Sequence, residues 1–92
     1  MLHINFYATF RSIIGQKTLE LDLPDDSPLH VIFEELFSHY PQMRSEIMDD
    51  DARVQEYVSV FINGRDIRYL NELDSTLNSQ QKLDIFPPVA GG

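Results

Sequence analysis

From residue 29 to residue 40 the apolar side chains Leu29, Ile32, Phe33, Leu36, Phe37 and Tyr40 recur at i, i+3, i+4, i+7, i+8 and i+11. That is the repeat of one face of an α-helix, about three turns long. Elsewhere the apolar residues mostly alternate with polar ones, the period of a strand buried on one side. A chain with one long helical stripe and several alternating segments buries both by laying the helix on the sheet. The expected result is a two-layer α+β domain.

The alternation locates the strands. In residues 2–8, Leu2, Ile4, Phe6 and Ala8 face one way and His3, Asn5 and Tyr7 the other. In residues 18–23, Leu19, Leu21 and Leu23 point inward, with Glu20 and Asp22 outward. A turn at Gly15-Gln16 would join the two as a hairpin, with Arg11 to Ile14 in its loop. Pro24-Asp25-Asp26 breaks the second strand, and Ser27-Pro28 reads as an N-cap followed by a first helical position. Pro41 ends the helix near Tyr40. Met43, Ile47 and Met48 fit one side of a short helix, followed by a solvated Asp49-Asp50-Asp51 loop. In the next strand Val58, Val60 and Ile62 share one face, and Tyr57, Ser59 and Phe61 the other. Asn63-Gly64 is a two-residue hairpin signal, because a type I′ turn needs positive φ at both positions. Arg65 to Leu70 should return as a short strand, Leu73 and Leu77 should anchor a polar stretch, and Lys82 to Phe86 should form the last strand. This order fits a β-grasp roll: a mixed sheet of four to five strands wrapped on one main helix, residues 1–92 forming a single domain.

Composition narrows the chemistry. There are no cysteines, so disulfides, thiolate metal sites and a cysteine nucleophile are absent. Sulfur passing through this chain would have to ride on its C-terminus. With 15 acidic against 7 basic residues the formal charge is −8, which repels phosphate backbones and attracts a partner with a basic face. Nucleic acid is not an expected partner. No leader pattern opens the chain and no apolar run is long enough to span a bilayer, so no membrane role is expected and the expected location is cytoplasmic. His3, His30 and His39 are scattered, and Asp49-Asp50-Asp51 lacks the spacing and glycine of a calcium loop, so no metal site is expected. No catalytic side-chain constellation stands out.

The sequence ends Phe86-Pro87-Pro88-Val89-Ala90-Gly91-Gly92. Pro87-Pro88 stops the strand and favours extended geometry. Val89 to Gly92 then reach at most ~13–14 Å. Glycine has no Cβ, so Gly91-Gly92 can enter a channel too narrow for side chains and deliver the Gly92 carboxylate. A carboxylate becomes electrophilic as an acyl-adenylate, from which a thiocarboxylate, thioester or amide can form. Tyr7, Phe61 and Phe86 should lie together on the sheet face away from the helix, the pattern of an aromatic docking patch.

Three stretches carry a resemblance to a known family: Ile4-Asn5-Phe6-Tyr7-Ala8 with Arg11 and Gly15, Val60-Phe61-Ile62-Asn63-Gly64, and the seven-residue ending. The chain resembles the ubiquitin-like sulfur carriers, and most closely the MoaD family, the small subunit of molybdopterin synthase. It departs at Asn78-Ser79-Gln80-Gln81, where the family usually has an Asp-Gly-Asp turn, and in a longer segment 41–56. The resemblance implies that an E1-like enzyme uses ATP to adenylate Gly92 and that a sulfur donor protein then makes the thiocarboxylate. It implies that the tail, residues 87–92, enters the large subunit of molybdopterin synthase and gives its sulfur to a pyranopterin precursor. The carrier would bind no cofactor and supply no acid, base or metal ligand. The patch of Tyr7, Phe61 and Phe86 would dock both partners. The same tail would also fit two alternative functions: a ubiquitin-like modifier joined to lysines through Gly92, or a sulfur carrier for another pathway (thiamine, tRNA thiolation or cysteine).

Overall fold

The computed structural model describes residues 1–88. Five strands form the main sheet, in the order β2-β1-β7-β4-β5. They are β1 (Leu2–Phe6), β2 (Thr18–Leu21), β4 (Ser59–Ile62), β5 (Arg65–Asp66) and β7 (Leu83–Phe86). β3 (Ser27–Pro28) and β6 (Thr76–Leu77) make a small second sheet. The helices are α1 (Ala8–Ile14), α2 (Leu29–His39) and α3 (Met43–Ile47). One mixed sheet wrapped on α2 is the β-grasp fold expected from the residue pattern. No helix among the described residues is long and apolar enough to cross a membrane.

The core follows the alternation. Leu2, Ile4 and Phe6 of β1, Val60 and Ile62 of β4, and Leu83 and Ile85 of β7 are buried beneath the stripe Leu29, Ile32, Phe33, Leu36 and Phe37. Burying such side chains contributes about 1.5–3 kcal/mol each. β1 pairs with β7 in parallel (Phe6 beside Ile85), while the β1–β2, β4–β7 and β4–β5 pairs are antiparallel. The last strand therefore lies in the middle of the sheet, and the chain beyond Phe86 leaves from the centre of one sheet end.

Several local expectations are corrected. Arg11 to Ile14 are not a hairpin loop but the body of α1, whose Phe10 and Ile14 are buried. Ala8 opens that helix at φ 53° and is exposed, so it does not extend the inward face of β1. Gly15, at φ 87°, closes the helix by donating its N–H to the Arg11 carbonyl. Ser27 is not an N-cap: it lies in β3, and its hydroxyl donates to the Pro24 carbonyl at 2.7 Å. Pro28 occupies the cap position, and the Leu29 N–H is satisfied by the Ser75 carbonyl at 2.9 Å. Tertiary pairing with β6 replaced the local signal. β2 stops at Leu21 rather than Leu23, and Met48 lies just past α3 in extended geometry. Arg65 to Leu70 give two residues of strand, then a 3₁₀ turn from Ile67 to Tyr69.

The Asn63-Gly64 turn forms as read, at φ 50° and 80°. Asn63 also ties the turn to β7, accepting from the Lys82 N–H on its side-chain oxygen at 2.8 Å. Where Asp-Gly-Asp was absent, side chains build the turn: the Asn78 N–H donates to Gln81 and the Gln80 N–H to Asn78. Segment 41–56 anchors α3 through buried Met43 and Ile47, and a bidentate Arg44–Glu34 pair at 3.0 and 2.8 Å joins α3 to α2. Asp49 folds the acidic loop on itself by accepting from the Asp51 and Arg53 N–H groups.

Candidate functional site

The site begins where β7 ends. β1 and β7 run parallel, so Tyr7, just past β1, comes beside Phe86 at the end of β7. Their rings stack at 4.2 Å with 10° between planes. Phe61 of the antiparallel neighbour β4 meets Phe86 edge-on at 5.8 Å. All three rings are half-buried on the sheet face away from α2. Alternation put their neighbours Phe6, Val60, Ile62 and Ile85 into the core. These are the three residues expected together on that face, and the structure brings them into contact.

A polar network that the sequence reading did not find fixes this platform. Asp84 shares the outer face of β7 with Phe86. One of its carboxylate oxygens accepts from the Tyr7 hydroxyl and from the Asn5 amide, both at 2.9 Å. Thr18 donates in turn to Asn5 at 2.7 Å. The network thus crosses β2, β1 and β7. Burial, the Asp84 hydrogen bond and the Asp84 charge, in that order, raise the Tyr7 phenol above the ordinary tyrosine value. Tyr7 therefore stays a neutral donor across the physiological range. Lys17 lies 5.7 Å from the centre of the Tyr7 ring. The sequence signal for the network was present in the polar outward positions Asn5, Thr18 and Asp84, but only the strand register shows that they adjoin.

Pro87 is half-buried and Pro88 exposed. The remaining residues of the predicted tail, Val89, Ala90, Gly91 and Gly92, lie outside the described residues. Each histidine stands beside one carboxylate: His3 by Glu20, His30 by Asp74 and His39 by Glu35. Among the described residues no group of three or more metal-ligating side chains converges. What this arrangement offers is a rigid aromatic platform at the point where the C-terminal segment departs.

A family model described as the ThiS family matches residues 4–92. Over 91 residues the chain is 32% identical to small archaeal modifier protein 3 of Haloferax volcanii, covering 99% of this chain and 98% of that one. It is 31% identical over 91 residues to the molybdopterin synthase sulfur carrier subunit of Dictyostelium discoideum, covering 97% of this chain and 93% of that one. The solution structure of a Haloferax volcanii protein, 32% identical, superposes with a TM-score of 0.81 over 99% of this chain and 85% of that one.

Proposed function

This chain belongs to the ThiS family of ubiquitin-like sulfur carriers, and from that membership we propose that it carries sulfur on Gly92 for molybdopterin synthase. The observation that carries the reading is the unbroken Phe86-Pro87-Pro88-Val89-Ala90-Gly91-Gly92 ending, rooted beside the Tyr7–Phe86–Phe61 platform. A carboxylate oxygen of Gly92 attacks the α-phosphorus of ATP in an E1-like enzyme, and pyrophosphate leaves. Sulfide (HS−) then attacks the acyl carbon, the C–O bond to AMP breaks and AMP leaves with its electron pair, and the thiol proton is lost to leave a thiocarboxylate. That sulfur passes to a pyranopterin precursor within a larger synthase subunit. This chain supplies the reacting terminus and the docking face, while partners supply the nucleotide and the catalytic side chains.

A second reading, a modifier joined to target lysines through Gly92, is favoured by the likeness to small archaeal modifier protein 3. The two share adenylation and part at the next nucleophile, a sulfur or an amine.

The absence of cysteine gives a direct test. The protein is incubated with an E1-like enzyme, ATP and a sulfur source, alkylated briefly with iodoacetamide at mild pH, and weighed intact. A single adduct mapping to Gly92 identifies the thiocarboxylate. Adenylation without an adduct, together with lysine-linked conjugates, selects the modifier. Absence of adenylation removes both readings. Co-purification with a molybdopterin synthase large subunit then separates this pathway from thiamine, tRNA and cysteine routes.

A further inference from the structure

The β4–β7 ladder ends at the pair Ser59 and Phe86. Beyond it the chain leaves both strands, running back from β4 through Val58 to a turn at Tyr57 and forward from β7 to Pro87 and Pro88. Residues 55–58 therefore stand at the sheet end from which the tail departs. One guanidinium holds this loop. Arg68 Nη2 lies 2.9 Å from the Gln55 carbonyl, 2.9 Å from that of Glu56 and 3.0 Å from that of Val58, its two N–H groups shared among them. Arg68 Nη1 meets Asp66 at 3.5 Å, and the Val58 N–H closes a turn onto the Gln55 carbonyl. The loop is pinned from inside while Tyr57 is left 73% exposed. Tyr69, the neighbour of Arg68, is 87% exposed.

A clamped backbone carrying a free aromatic ring is suited to recognition. The ring gives large contact area with few torsions to freeze, and the backbone is already ordered. Tail length determines which surface meets it. From Pro88 the Gly92 carboxylate reaches at most ~13–14 Å. An enzyme acting on that carboxylate must bring its body that close, and so covers this sheet end.

We propose that Tyr57 is a specificity contact for the ATP-dependent adenylating enzyme that receives the tail, with Arg68 as its positioning residue. The inference rests on the Gly92 reading above. The enzyme surface it calls for is an apolar slot edged by Arg or Lys, which would stack on the ring and complement the charge of −8.

The test is ATP–pyrophosphate exchange by the adenylating enzyme with this chain as varied substrate. Tyr57→Ala should raise the KM for the carrier about tenfold, with kcat and Tm unchanged, and Tyr57→Phe should stay near wild type. Arg68→Met should raise KM in the same direction. The double variant should have a KM no higher than Tyr57→Ala alone, because Arg68 acts through Tyr57. A Tyr57→Ala KM within about twofold of wild type, with wild type turning over, overturns the contact and leaves the Gly92 reading standing. Additive KM effects in the double variant overturn the role of Arg68. Absence of exchange with the wild-type chain removes the Gly92 reading, and this contact with it.

Discussion

Tyr7 does two things with one side chain: its ring supports Phe86 and its hydroxyl donates to Asp84. Tyr7→Phe keeps the stack and removes the hydrogen bond, leaving Asp84 with the Asn5 amide. The cost should be about 1 kcal/mol, read as a shift in the denaturation midpoint. The pH dependence has a definite sign. The folded-state phenol lies above its unfolded value, so its stabilising effect is complete below the ordinary tyrosine range and is lost as pH rises through the raised value. Ultraviolet difference titration of wild type against Tyr7→Phe should place the Tyr7 transition above the ordinary tyrosine range. A transition at or below that range would show that Asp84 does not hold the proton. Asn5, Thr18 and Asp84 are ordinary outward strand residues in the sequence, and no local pattern marks them as a network.

Among the elements, α1 shows where local reading went astray. Phe10, Ile13 and Ile14 have helical i, i+3, i+4 spacing, and Gly15 supplies the left-handed stop. The signal was present but spans only seven residues, too short for a helix to stand without tertiary support. Its support is the core. Phe10→Ala should therefore cost about 3–5 kcal/mol, a large share of the roughly 5–14 kcal/mol expected for a chain this long. A loop residue would lose far less, and thermal unfolding distinguishes the two. The β4–β5 hairpin is the opposite case, because Asn63-Gly64 dictates its turn by backbone sterics alone. A Cβ on Gly64 would meet nothing within 4 Å. The cost of Gly64→Ala is thus conformational, about 1–2 kcal/mol, checked by urea denaturation.

At the scale of the whole molecule, fold and function should come apart under mutation. Gly92 lies six residues past the end of β7 and beyond Pro87-Pro88 in the sequence, so its deletion should leave Tm at the wild-type value while adenylation is abolished. A C-terminal extension should do the same by displacing the carboxylate. Intact mass after alkylation and a thermal scan on the same sample check both. Phe86→Ala tests the platform. It loses two aromatic pairs worth about 0.5–1.5 kcal/mol each, less than a core phenylalanine, yet it should weaken binding to the adenylating enzyme at least about tenfold. If stability falls more than affinity, Phe86 belongs to the core and the platform is elsewhere.

The sequence by itself determined the two-layer fold, the helical stripe, the inward faces of the long strands, the Asn63-Gly64 turn and the tail motif. Each of these is written in periodicity or backbone sterics within a few consecutive residues. Tertiary structure decided that β7 runs between β1 and β4, that Ser27-Pro28 pairs with Thr76-Leu77, that Asp84 joins Asn5 and Tyr7, and that Arg68 pins the loop beneath Tyr57. Those contacts join residues about ten to eighty positions apart. Their partners are chosen by strand register and shared burial, which no local window of sequence contains.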